Sequence, residues 1–160
     1  MASMKRQLSF SELPQWQREN SSSHIRSHYR SGGNHWQCLL SLFWYHNQFW
    51  NAWTMIITNL VGTLCILHTL LYHSQDMSRE NKCILLLFWF HGVLHLPFSV
   101  GNHIFKDMNE QESLRWLRYD NCMICVVSDL LIFLLSYYVF TIQVTLLLTC
   151  MGIVATYRNF

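Results

Sequence analysis

Four polar residues recur at intervals of four in the run CILLLFWFHGVLHLPFSVGNHIF: His91, His95, Ser99 and His103. In a helix each such step advances about 40°, so neighbours in the series share a face. A row of this kind facing the interior of a bundle often marks a functional path in membrane proteins. His91 and His95 could ligate a metal, but an i, i+4 pair supplies only two ligands, and the plainer reading has them hydrogen-bonding neighbouring helices. Ser99, His103 and Asp120 form a sharper group. If the helix carrying Ser99 and His103 turns back antiparallel into the next one, His103 approaches Asp120 at that helix's mouth. A neutral imidazole is a good zinc ligand, and a serine and an aspartate beside it can hold or deprotonate a metal-bound water. From spacing alone the alternative, a helix-end histidine and an exposed loop-end aspartate, stays open. Asp129, with Ser128 beside it, is an acid inside an apolar run, where a structural contact and a proton-carrying role are both open. Cys122-x-x-Cys125 has no partner pair and no electropositive setting. It reads, like Cys38, Cys65, Cys83 and Cys150, as thiols that pack as small hydrophobes.

These residues need elements to hold them, and the composition says which. Of 160 residues, 51% are hydrophobic and only 12% charged, whereas an ordinary soluble domain carries about a quarter charged residues. The charges concentrate before residue 40 and in two short connectors. Disorder over the body of the chain is excluded, and a net charge of +2 is too small for a nucleic-acid binder. A bilayer asks for about 20 apolar residues per helix. Runs of that size cover 52–72, 83–105 and 121–140, followed by a shorter one at 142–157. The tract 121–157 as a single helix would reach about 55 Å, nearly twice the hydrocarbon thickness, so a turn near 141 is expected. The fold class is therefore all-α: a polytopic membrane bundle of about four transmembrane helices. A head of residues 1–47, loosest around SSSHIRSHYRSGGNH, precedes a membrane domain over 48–160.

The start, MASMKRQLSF, is positive with no apolar run behind it, so the first hydrophobic segment is expected to be an uncleaved anchor. Lysine and arginine then set the orientation. Placing the head in the cytosol puts nine basic residues inside and two, Arg79 and Lys82, outside; the positive-inside rule favours that topology. The sequon Asn20-Ser21-Ser22 would then carry no glycan.

Several segments, in order, resemble one family. ELPQWQREN followed by HIRSHYR is similar to the N-terminal LPxW, asparagine and YR signature of the progestin and adipoQ receptor (hemolysin III-related) proteins. SLFWYHNQFWNAWTM resembles that family's SLFxxHNExxNxWTH motif, SVGNH its SxxxH motif, and Asp120 stands where its next helix has an aspartate. The resemblance implies a seven-helix membrane core with a cytosolic N-terminus and a zinc ion. By position, His103 would ligate zinc while Ser99 and Asp120 would hold the metal-bound water. It implies receptor-type signalling for a lipid-like, steroid-like or other hormone ligand, at the plasma membrane or the Golgi. A membrane scaffold whose head recruits cytosolic proteins is the alternative, and a zinc-dependent lipid amidase of ceramidase type is a third. Two departures stand out: Gln48 replaces the family's glutamate and Met55 its histidine. The family's last-helix HxxxH has no counterpart before Phe160, so a fragment, an isoform or a degenerate relative is expected, and catalysis by these 160 residues is not.

Overall fold

The computed structural model describes residues 7–140 and 142–158. Among them every regular element is helical: α1 (Gln15–Glu19), α2 (His35–Leu40), α3 (Phe49–Tyr72), α4 (Arg79–Phe105), α5 (Glu110–Val139) and α6 (Ile142–Arg158). Short 3-10 turns at Phe10–Glu12, Ser41–Phe43 and Ser74–Asp76 punctuate them, and one isolated antiparallel bridge pairs Leu8 with Tyr29. Among the described residues three helices are long and apolar enough to cross a membrane: Phe49–Tyr72, Arg79–Phe105 and Glu110–Tyr137, of 24, 27 and 28 residues. At 1.5 Å per residue the shortest reaches about 36 Å, enough for a hydrocarbon core of about 30 Å. The apolar part of α6, Gln143–Tyr157, is shorter.

The expected turn near 141 falls between α5, which ends at Val139, and α6, which begins at Ile142; Thr141 itself lies outside the described residues. The start of α5 differs more. The apolar run suggests a beginning near Asn121, but the helix starts eleven residues earlier, at Glu110. Asn109 Oδ1 accepts from the Glu112 amide at 2.9 Å, and Glu110 and Glu112 sit in the first turn, where acids favour the positive end of a helix. Hydropathy marks where the apolar run begins; the cap marks where the helix begins. At α4 the same logic applies, with Ser78 Oγ accepting from the Asn81 amide.

The chain divides into two compact units. The first joins the N-terminal segment through Ile57 to Pro97–Asp120; the second joins Thr58–Leu96 to the residues from Asn121 onward. In the first unit α1, α2 and the loops between them pack on the end of α4 and the start of α5. Cys38, Ile104, Phe105 and Met108 form its apolar core, with Leu42, Val100 and Trp116 against it. Gly101 is required there: a Cβ would lie 2.6 Å from Trp116 Cε3, so only glycine lets the indole lie on α4. Trp116 also stacks on Phe105, with ring centroids 4.7 Å apart.

In the second unit Trp89 Nε1 donates to Thr63 Oγ1 at 3.0 Å, tying α4 to α3. Asp129 Oδ1 accepts from Thr156 Oγ1 at 3.4 Å, and a side chain at Gly152 would crowd the same oxygen. The acid is thus used as a contact to α6. His91 Nδ1 meets its own helix's Phe88 carbonyl at 3.1 Å rather than a neighbouring helix. All six cysteines are free, the C-x-x-C pair included, but only Cys38 is buried as expected of a packed thiol; Cys65, Cys83, Cys122 and Cys150 are exposed on their helices. Leu64, Leu67, Leu71 and Leu147 point outward, an apolar exterior that suits lipid and not water.

Candidate functional site

The head supplies the first surprise in the site. Tyr29 and Arg30, within the stretch that reads as the loosest part of the sequence, are buried, while residues 22–27 before them are exposed. Arg30 ion-pairs with Asp107 at 3.2 Å, both side chains 3% exposed. Its guanidinium also donates to the carbonyls of His103 at 3.1 Å and Ile104 at 3.4 Å, and to Ser41 Oγ. The last carbonyls of an α-helix have no partner within the helix, and the C-terminal end is the negative pole. Arg30 therefore caps α4 with a cation. Gln17 closes the arrangement: its amide donates to the Arg30 carbonyl at 2.6 Å and to Asp107 Oδ1 at 2.9 Å. Burial pushes the Asp107 carboxyl up, opposed by Arg30, Lys106 and the Gln17 hydrogen bond.

Just inside this cap lie the residues singled out by spacing. Ser99, Asn102 and Asp120 are buried and His103 is partly so. The antiparallel turn from α4 into α5 brings Asp120 back to the end of α4, where its Oδ2 accepts from Asn102 Nδ2 at 2.9 Å. Asn102 stands one position before His103, and sequence reasoning did not name it. Ser99 sits one turn earlier on α4.

The His103 ring is held from another element. Nδ1 lies 2.9 Å from Gln48 Oε1, the residue that departs from the resembled motif. Asn51 Nδ2 donates to the same oxygen at 3.0 Å, which fixes the amide's acceptor end toward the ring. A carboxamide oxygen only accepts, so Nδ1 carries the proton and Nε2 keeps its lone pair. Metal-bound histidines are oriented in this way, through the ring nitrogen that does not touch the metal. The local sequence explains why Gln48 is in place. After the 3-10 turn Ser41–Phe43, His46 and Gln48 are buried, the Gln48 amide donates to His46 Nδ1 at 3.1 Å, and Trp53 Nε1 donates to the Leu42 carbonyl at 2.7 Å. Burial, with the Arg30 cation adding to it, drives the His46 imidazole down to about 3, against a hydrogen bond with the Ser41 backbone.

Among the described residues no three His, Cys, Asp or Glu side chains cluster as a metal site. His103 thus fits one coordination position of a zinc ion, and the group around it does not fill the remainder. No family model matches the chain, and comparison with curated proteins found no match.

Proposed function

We propose that this chain is a multi-pass membrane protein of the progestin and adipoQ receptor type, with a cytosolic head and receptor-type signalling for a lipid-like or hormone ligand. In this reading α6 is the fourth span. The observation that carries it is the buried polar group Gln48, Asn102, His103 and Asp120 at one end of helices otherwise apolar enough to span. Ionisable groups in such helices are costly and tend to be retained for function. His103 would hold a metal through Nε2, with Ser99 and Asp120 beside it; a bound zinc would supply Lewis acidity there. Its further ligands would have to come from outside the described residues.

A second reading, a non-catalytic membrane scaffold, is favoured by hydrogen bonds within the group. Asn102 occupies an oxygen of the Asp120 carboxylate, and Gln48, unlike a glutamate, has no carboxyl group to titrate.

Zinc analysis of the purified full chain separates the two. The receptor-type reading expects about one zinc per chain, retained in His91→Ala/His95→Ala and lost in His103→Ala. Metal-free wild-type protein supports the scaffold. Orientation is tested independently at Asn20, which stays unglycosylated if the head is cytosolic; a glycan there reverses the topology. Release of the chain from membranes by alkaline carbonate overturns both readings.

A further inference from the structure

Residues 35–48, HWQCLLSLFWYHNQ, contain no Lys, Arg, Asp or Glu, yet this segment precedes the span-length helix α3 and is not part of one. At 3.6 residues per turn, Trp36, Leu39, Leu40 and Phe43 fall within an arc of about 100°, while Cys38, Ser41 and Leu42 fall in the opposing arc. The structure divides them the same way. Cys38 and Ser41 are fully buried and Leu42 packs on the core of Ile104, Phe105 and Met108. On the other face Trp36 is 68% and Phe43 72% exposed, with Leu39 and Leu40 exposed between them. A soluble surface rarely shows so large a contiguous apolar strip.

We infer that this face is a membrane-surface element: α2 and its 3-10 extension lie in the plane of the bilayer, with Trp36, Leu39, Leu40 and Phe43 seated at the headgroup–acyl boundary. The lipid surface is the occupant because ring contacts tie the strip to α3, Phe43 to Trp53 and Tyr45 to Phe49. Tyr45 and Trp50, both exposed, link Phe43 to the first turn of the span, and Ile57 continues the outward apolar surface two turns on. An amphipathic helix with Trp, Phe and Leu on one face seats itself at this depth, and indole rings concentrate there. The opposite face, carrying Cys38 and Ser41, is the one that holds Arg30 and the end of α4. The element therefore anchors the head at the bilayer surface. This inference rests on the membrane reading of α3 proposed above.

The test uses the full chain in phosphatidylcholine vesicles. Tryptophan emission is compared between wild type and Trp36→Phe, with bromines near the top of the acyl chains as one quencher and aqueous acrylamide as the other. The Trp36 component is expected to be quenched roughly twofold or more by the brominated lipid and little by acrylamide. Quenching by acrylamide alone places Trp36 in water and overturns the inference, and shielding from both quenchers does so too, since protein would then cover the face. Carbonate extraction of the same vesicles keeps the two ideas apart. A chain that resists carbonate while Trp36 faces water loses only the surface element; a stripped chain loses the membrane reading with it.

Discussion

Removing one partner of the Arg30–Asp107 pair tests whether the head is an integral part of the fold. In Arg30→Met, Asp107 keeps only the Gln17 hydrogen bond as a direct side-chain partner, and the carbonyls of His103 and Ile104 lose their donor. Breaking a buried pair by removing one member costs about 3–5 kcal/mol, because the other charge stays behind without compensation. At roughly 2–4 °C per kcal/mol for a chain of this size, the melting temperature in detergent or nanodiscs should fall by about 6–12 °C at the lower end of that range. Asp107→Leu leaves Arg30 still bonded to the end of α4 and should cost less than Arg30→Met. The double variant Arg30→Met/Asp107→Leu removes both charges, and its loss should be smaller than the sum of the single losses by about 2 kcal/mol or more. Limited proteolysis adds a local readout: cleavage within residues 20–34 should accelerate in Arg30→Met and slow again in the double variant. Additive single losses, or a cost below about 1 kcal/mol for Arg30→Met, would refute the reasoning. The pair would then behave as a surface ion pair and the head as a loosely attached tail.

Three further outcomes follow from the same unit. Gly101→Ala should destabilise by about 1–3 kcal/mol despite alanine's better helix propensity, because the new methyl displaces Trp116 from α4; an unchanged or raised melting temperature would show that the indole does not rest there. His46, at about 3 in the fold and 6.5 when unfolded, is buried neutral. Its contribution to stability is complete above pH 6.5 and is lost as pH falls toward 3, about 2 kcal/mol of it between pH 7 and pH 5. His46→Phe should flatten that part of the acid-stability curve, and an unaltered curve counts against the assignment. Cys38 is fully buried, and burial pushes its thiol up to about 11. It should resist maleimide at pH 8 and react only after denaturation, as read by peptide mass spectrometry; early labelling would mean that α2 does not pack on α4.

Helices and their approximate limits were legible because runs of about 20 apolar residues match the length a bilayer would ask for, so three uncharged or nearly uncharged runs could be read directly. The return of Asp120 to the end of α4 was legible only as a condition, since the apolar runs alone leave residues 106–120 between the two helices and an exposed loop-end aspartate stayed open. Arg30 and Gln48 were not. Their contacts to the end of α4 and to Asp107 span 55 to 77 positions in sequence and obey no period: Arg30 lies among serines and glycines, and Gln48 looked only like a lost titratable group. A faint signal did exist for Arg30. Asp107 is a lone acid beside Lys106 at the end of a long apolar helix, a place where a carboxylate needs a cation. The early start of α5 was masked for a different reason, because residues 110–120 are helical but too charged for an apolar window to include.

His103 ties these observations together, because two different parts of the chain hold one residue. Its imidazole is oriented by Gln48, just before α3, while its carbonyl is held by Arg30 from the head. Asp107, which fixes Arg30, follows His103 by four positions and is itself fixed by Gln17 of α1. A ring positioned by one hydrogen bond can rotate about its side-chain torsions; one whose backbone is also clamped has far less freedom, and Nε2 is presented in one direction. Preorganisation of that kind is what a ligand-binding or metal-binding nitrogen requires. The buried head contacts are costly to assemble, with a desolvated ion pair at their centre. Their placement on the carbonyls of His103 and Ile104 gives that cost a purpose: the head acts as a supporting shell for the end of α4. Substitutions at Gln17 or Arg30, remote in sequence, should therefore be felt at His103 before they are felt anywhere in the second unit.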